Sequence, residues 1–210
     1  VTSRAIYVEI EISAPVEEVW RRTQDAAQHS RWDIRFSRIT PAEPDASGVQ
    51  SFSYARRVPF HTIEGVGVSI GERSRPDGSR TSALKFFTGD RISPIRAGRG
   101  YWRYVPSGDD RTRFITGYDY TPGWGRWADV VARPVLAWAT AWSFDRLRIW
   151  IERGEEPEAW PLHSALWFWN RRRPRAARCR RSPEGGSRRG DHLSDAPATL
   201  SSLHSPETAR

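Results

Sequence analysis

The sequence predicts an α+β fold, and three observations carry that reading. Residues 34 to 121 alternate short apolar and aromatic runs with Pro, Gly, Asp and Ser breaks, the pattern of strands joined by tight turns. Between Gly125 and Gly154 there is no glycine, and Pro134 is the only breaker, so one long helix follows the strands. A strand and one or two short helices precede both. Strands and the long helix are therefore segregated along the chain, as in α+β folds and unlike parallel crossover units.

The first element is a strand at residues 4 to 13. Ile6, Val8, Ile10 and Ile12 alternate with Tyr7, Glu9 and Glu11, so one face is apolar and the other wet. A helix start follows: Ser13 or Ala14 as cap, Pro15 in the first turn where its missing N–H costs nothing, and Glu17 and Glu18 near the positive end of the dipole. After Asp25 the stretch AAQHSRWD reads as a second short helix or turn. Breaks at 41–48, near Pro59, at Pro76-Asp77-Gly78, between Gly89 and Gly98, and at 107–110 separate five or six strands. Their expected spans are 35–40, 49–57, 62–73, 79–88, 99–106 and 111–121. Short, evenly spaced loops favour an antiparallel meander. The final helix runs about 28 residues, ~42 Å, with a kink or irregular first turn expected near Pro134.

Charge separates the chain into parts. The formal charge is +8, carried by 32 Arg and a single Lys, Lys85. Residues 170–190 hold nine Arg and one acid, whereas 1–169 are near neutral at +2 and 191–210 carry −2. A globally basic nucleic-acid-binding domain is therefore disfavoured. Residues 1–157 are expected to form the folded domain. Residues 158–210, aromatic and then Arg-rich with few large apolar side chains, are expected to form a largely disordered tail.

The strand followed by Ile12-Ser-Ala-Pro-Val-Glu-Glu-Val-Trp20, the nearby Arg31-Trp32-Asp33, the strand end Gly117-Tyr-Asp-Tyr-Thr-Pro122 and the helix through Trp142-Ser-Phe-Asp-Arg-Leu147 resemble the START-related helix-grip superfamily. The likeness is to its SRPBCC or polyketide cyclase/dehydrase-like branch, over residues 4 to 154. The resemblance implies a curved antiparallel sheet of about six or seven strands around the long C-terminal helix, with a ligand cavity between them. The stretch 137–154 is also similar to bacterial proteins in which such a domain precedes a DoxX-like membrane module. Residues 155–210 depart from that pattern, because nothing in them is long enough for four spanning helices.

Alternation places Phe52 and Tyr54, Leu84 and Phe86, Trp102 and Tyr104, and Phe114, Thr116, Tyr118 and Tyr120 on common faces of their strands. With Trp32 and Phe144, the residues from Phe52 to Tyr118 in this set are the expected ligand contacts. Tyr and Thr hydroxyls in an apolar cavity suit an apolar ligand carrying a few oxygens, and a collapsed aromatic core is the competing reading. Acid and base candidates are Asp25, Asp33, His61, Glu64, Asp90, Asp119 and Asp145, with no nucleophile motif among them. His61, beside Phe60, and Asp145, on the helix stripe of Trp127, Val131, Trp138 and Trp142, are the two singled out for catalysis. A solvent-facing Asp145 is the expectation, with Arg103 or Arg148 as partners if it is buried. No His pairing or CxxC spacing points to a metal, the lone Cys179 supports no disulfide framework, and no cofactor is implied.

The long helix carries two apolar faces. One is Leu136, Thr140, Phe144, Leu147 and Ile151; the opposite one is Trp127, Val131, Trp138, Trp142 and Ile149. A sheet covers one, and the stretch from Trp160 to Trp169 folding back is the expected cover for the other. The run Trp167-Phe-Trp169-Asn-Arg171-Arg-Arg-Pro-Arg175 would suit an anionic membrane surface or a protein partner, with nucleic acid disfavoured. The expected function is binding of a small hydrophobic or polycyclic molecule. The alternatives are a cyclase/aromatase- or dehydratase-type enzyme on a polyketide-like substrate, and a membrane-surface or protein-interaction module. No secretory signal or spanning stretch is visible, so the expected location is cytoplasmic, with peripheral membrane contact as the variant. Whether the protein is an enzyme, and its oligomeric state, are left open by the sequence.

Overall fold

The computed structural model describes residues 5–43 and 50–183. Strand β1 (Ile6–Ile12) is followed by helices α1 (Val16–Gln24) and α2 (Ala26–Trp32). Then come β2 (Arg38–Pro41), β3 (Ser51–Val58), β4 (His61–Ser74), β5 (Arg80–Phe87), β6 (Ile95–Pro106) and β7 (Thr112–Pro122), and helix α3 (Gly125–Arg153). The seven strands form one antiparallel sheet in the order β1-β7-β6-β5-β4-β3-β2. This is the α+β meander with a long C-terminal helix that the sequence predicts.

Local chemistry explains the boundaries. Pro15 stands at the N-cap of α1, one place earlier than expected, and Glu17 and Glu18 occupy the first turn. Asp25 caps α2 by accepting from the Ala27 and Gln28 N–H groups. Gly154 closes α3 in the left-handed conformation, φ 65°, which glycine adopts without a Cβ penalty. Pro134 is accommodated inside α3, which runs unbroken across it for 29 residues. Strand β6 begins at Ile95 rather than at 99, because Gly98 is a strand residue and not a turn residue.

The apolar face of β1 meets α3. Ile6, Val8, Ile10 and Ile12 belong to one core with Trp102, Phe114, Trp142, Phe144 and Leu147. Phe144 of α3 stacks on Phe114 of β7 at 4.4 Å between ring centres, and Thr140 shares a 2.9 Å hydrogen bond with the Tyr118 hydroxyl. The helix face carrying Thr140, Phe144 and Leu147 is thus the one the sheet covers.

The second helix face is covered over half its length, by the chain's own continuation. Residues 158–183, expected to belong to a largely disordered tail, follow a packed course through short 3-10 turns at Pro157–Ala159, Leu162–Leu166 and Ala176–Arg178. Trp160, Ala176 and Cys179 are buried in the same core as Trp142 and Ile149. Arg31 of α2 holds Glu156 and Glu158 at 2.5 and 2.7 Å, and Arg146 donates to the Pro157 carbonyl. A β-bridge between Glu9 and Arg180 fastens the far end to β1. Ionic and backbone hydrogen bonds hold this strap where apolar content is low, which is why composition alone misreads it. The rest of the predicted tail, 184–210, lies outside the described residues.

The strap leaves the first half of α3 open. Trp127 (92% exposed), Val130 (71%), Val131 (68%) and Val135 (56%) form an uncovered apolar stripe beside half-exposed Trp124. Among the described residues no helix is long and apolar enough to cross a membrane.

Candidate functional site

The strand register lines up one row across five strands. Phe52 of β3 faces Gly67, Gly67 faces Phe86, Phe86 faces Gly98, and Gly98 faces Tyr120. Directly opposed residues share a face, so the row lies on the α3 side with Tyr118 and Tyr120. The glycines are there because the rings lie over them. A Cβ on Gly67 would stand 2.1 Å from Phe52 Cζ, and one on Gly98 would stand 2.3 Å from Phe86 Cζ and 2.7 Å from the Asp119 carbonyl. Tyr54 lies over Gly65 in the same way and its hydroxyl reaches the Phe87 carbonyl at 3.4 Å.

Along this face the chain changes from filled to open. Toward β1, Trp32, Trp102, Tyr104, Phe114 and Phe144 pack ring against ring at 4.4–6.5 Å. Thr116 donates to the Tyr101 carbonyl, and Tyr104 is tied to Thr23 and Gln24 of α1. Toward β3, Phe52, Tyr54, Leu84 and Phe86 are only half-buried. The eleven expected ligand contacts therefore divide. Trp32, Tyr104, Phe114, Thr116 and Phe144 are core residues sealed by α1, α2 and α3. Phe52, Tyr54, Leu84 and Phe86 form an accessible aromatic wall, with Trp102 and Tyr118 at the seam.

A charged cluster sits at that seam. The buried Asp33 carboxylate accepts from Arg35 Nε and Nη2 (2.9 and 2.6 Å) and lies 3.2 Å from His29 Nε2. Burial alone would push Asp33 up, but the Arg35 charge and the His29 and Arg35 hydrogen bonds outweigh it and hold the carboxyl well below the usual range. His29 is packed among Trp32, Phe36 and Trp102, and this burial pushes its pKa down despite Asp33, so the imidazole is neutral at neutral pH. The Arg35 guanidinium rests 5.6 Å over both Phe36 and Tyr118, and Phe36 meets Tyr54 edge-on at 5.5 Å. Arg56, two residues from Tyr54 and on its face, is half-buried. Desolvation lowers its pKa and the field of Asp33 partly restores it. Burial pushes the Tyr54 hydroxyl up to about 12, so it stays protonated.

The two residues singled out for catalysis go elsewhere. His61 is at the exposed start of β4, 2.6 Å from Asp90, next to Phe60 at φ 64°. Asp145 is not solvent-facing. It is fully buried, pairs with Arg148 (2.8 Å) and Arg178 (2.7 Å), and accepts from the Arg175 N–H at 2.7 Å. Arg148 was a foreseen partner; Arg178, in the strap, was not. A depression of about 320 Å³ opens between β2 and β5, bordered by Arg38, Ser53, Ala55, Glu64, Val66 and Phe87. Most of these side chains alternate away from the aromatic row, so the depression belongs mainly to the outer face, although Tyr54 and Gly65 also border it. Among the described residues no three His, Cys, Asp or Glu side chains are grouped to hold a metal. His29, Arg35, Phe36 and Arg56 escape the sequence reading because only the fold of α2 and the turn after it against β6 and β3 brings them together.

Three comparisons bear on this arrangement. The family model described as polyketide cyclase / dehydrase and lipid transport matches residues 3–149. The Bacillus subtilis (strain 168) protein named "Uncharacterized membrane protein YndG" is 39% identical over 170 residues, which cover 79% of this chain and 63% of the relative, so the chain spans less than two thirds of that protein. Among solved structures, the Zhui aromatase/cyclase from Streptomyces sp. R1128 is 14% identical with a TM-score of 0.50, covering 73% of this chain and 98% of its own. A STAR-related lipid transfer protein from Xanthomonas axonopodis is 18% identical with a TM-score of 0.46, covering 62% of this chain and 79% of its own.

Proposed function

Because the chain belongs to the polyketide cyclase/dehydrase and lipid transport family, we propose that it binds a small hydrophobic or polycyclic molecule on the α3 side of its sheet. The observation that carries the reading is the half-open wall of Phe52, Tyr54, Leu84 and Phe86, its three rings reaching over Gly67, Gly65 and Gly98 beside a filled core. Aromatic rings left partly open beside a filled core offer apolar surface on which a planar body can pack. Native mass spectrometry of protein prepared gently from its own host tests for a co-purifying small molecule. Titration with the fluorescent neutral probe 1-pyrenebutanol tests the wall itself. Saturable binding is expected, weakened by about tenfold, or ~1.4 kcal/mol, in Leu84→Trp, which would fill the proposed groove over the wall; no saturable binding of either kind overturns the reading.

An enzymatic role on a polyketide-like substrate is favoured by one observation, the neutral His29 imidazole held against Asp33 at the seam. It would serve as a base that takes the α-C–H proton of a bound ketone, becoming an imidazolium beside the Asp33 carboxylate. Loss of turnover in His29→Gln with probe binding kept would support it.

A membrane-surface role rests on a different feature, the uncovered stripe of Trp127, Val130, Val131 and Val135 with exposed Arg126 beside it. Exposed Phe168 and Trp169 ahead of Arg171 and Arg172 add to it. The full chain should sediment with vesicles containing phosphatidylserine, and Trp127→Ser with Val131→Ser should reduce that binding; equal sedimentation of both proteins removes the stripe's part.

A further inference from the structure

The charges beside the aromatic wall, in the proposed groove, do not balance. On the α3 side, Asp33 is neutralised by Arg35 through two short hydrogen bonds, and His29 is held neutral by burial. Arg56 remains. Among the described residues it makes no ion pair or hydrogen bond, and the one carboxylate whose field it feels, Asp33, already serves Arg35. Its cross-strand neighbour on β4 is the buried Ile63. Glu64 alternates onto the outer face with Ala55, so it offers no counter-charge. Arg56 lies two residues along β3 from Tyr54 and four from Phe52, which places a cation at one end of the aromatic wall.

A guanidinium is always charged, and a half-buried one without a partner loses hydration without compensation. Over most of a folded surface such a side chain turns outward; here alternation fixes it on the groove side. We propose that the groove takes an anionic amphiphile, a planar apolar body ending in a carboxylate, with Arg56 receiving the carboxylate and Phe52, Tyr54 and Phe86 stacking on the body. A single uncompensated cation matches a monoanion. A phosphate monoester would bring a second negative charge with nothing in the groove to meet it. A planar carboxylate also fits the two parallel donors of a guanidinium. The inference rests on the ligand-binding reading above and specifies its ligand class.

The test compares 1-pyrenebutyrate with 1-pyrenebutanol, which share the apolar body and differ in the terminal group. The wild-type chain should prefer the carboxylate by roughly tenfold or more, the usual weight of a charged hydrogen bond. Arg56→Gln should erase that preference while leaving pyrenebutanol binding within about twofold. Arg57→Gln, an exposed neighbour on the opposite face, controls for loss of charge and should keep the preference, and thermal melts of both variants control for folding. Equal affinity of the wild type for the two probes, or a preference that survives Arg56→Gln, overturns this inference and leaves the groove standing. Failure of both probes to bind overturns the groove and the inference together.

Discussion

Asp145 joins three parts of the chain through one carboxylate. Its Oδ1 takes Arg148 one turn along α3, and its Oδ2 takes both Arg178 Nη1 and the Arg175 N–H from the strap. Replacing it with alanine leaves Arg178 without its counter-charge, Arg148 with Glu152 alone, and one strap N–H without an acceptor. We expect Asp145→Ala to cost about 3 kcal/mol or more of unfolding free energy, measured by urea denaturation. His29 and Asp33 make a second, pH-linked prediction. The folded imidazole is depressed below its ordinary 6.5, so the unfolded chain takes up that proton first, and stability falls as pH drops below about 6.5 toward the folded value. Asp33 is depressed below its ordinary 3.8, so its contribution is full above that pH and is lost on further acidification. Urea midpoints between pH 7 and 5 should fall in the wild type and fall less in His29→Gln. Neither site was legible as a site. Sequence supplies Asp145 on an apolar stripe and Asp33 beside Arg35, but which cation answers a buried carboxylate 33 residues away depends on where the strap lies.

Elements were legible where side-chain alternation and breakers agreed. The strand expected at 62–73 is β4 at 61–74, and the one expected at 111–121 is β7 at 112–122, because Pro, Gly and Asp clusters bound both. The start of β6 was not legible, because a glycine that makes room for a neighbouring ring has the same letter as one that turns the chain. Gly98 is of the first kind. This gives a test at the element scale: Gly67→Ala should cost roughly 1–3 kcal/mol by driving its Cβ into the Phe52 ring. Adding Phe52→Ala should return part of that loss, since all three nearest atoms belong to that ring. A double-mutant cycle with no coupling would remove the ring-on-glycine account. The same pairing guards strand register. A slip of two residues keeps the faces but sets Phe52 opposite Ser69, or Tyr54 opposite Ile63, where a side chain occupies the seat of the ring.

For the molecule as a whole, the boundary expected after residue 157 cuts through packed structure. Ending the chain there would strip Trp160, Ala176 and Cys179 from the core and leave Asp145 with Arg148 alone. Such a truncation should lower stability by on the order of 3–6 kcal/mol, seen as a lower thermal midpoint than the full chain. The order of elements and the near-neutral charge of residues 1–169 made the domain recognisable. The strap was obscured by its Arg content, which composition assigns to solvent and which the fold spends partly, through Arg178, on Asp145 and on the strap's own carbonyls at Arg171 and Arg173.

The Glu9 to Arg180 bridge also bears on how molecules of this protein meet one another. A single antiparallel sheet has two rims of unmatched peptide groups, and each can recruit a strand from a second molecule. On the β1 rim, the Glu9 N–H and carbonyl are already engaged by Arg180 at 2.9 and 2.8 Å. The β2 rim is only four residues long and ends in Pro41, which has no N–H to offer. One rim is thus engaged at its middle residue and the other blunted, so loosening the strap would free more of the β1 rim for intermolecular strand addition.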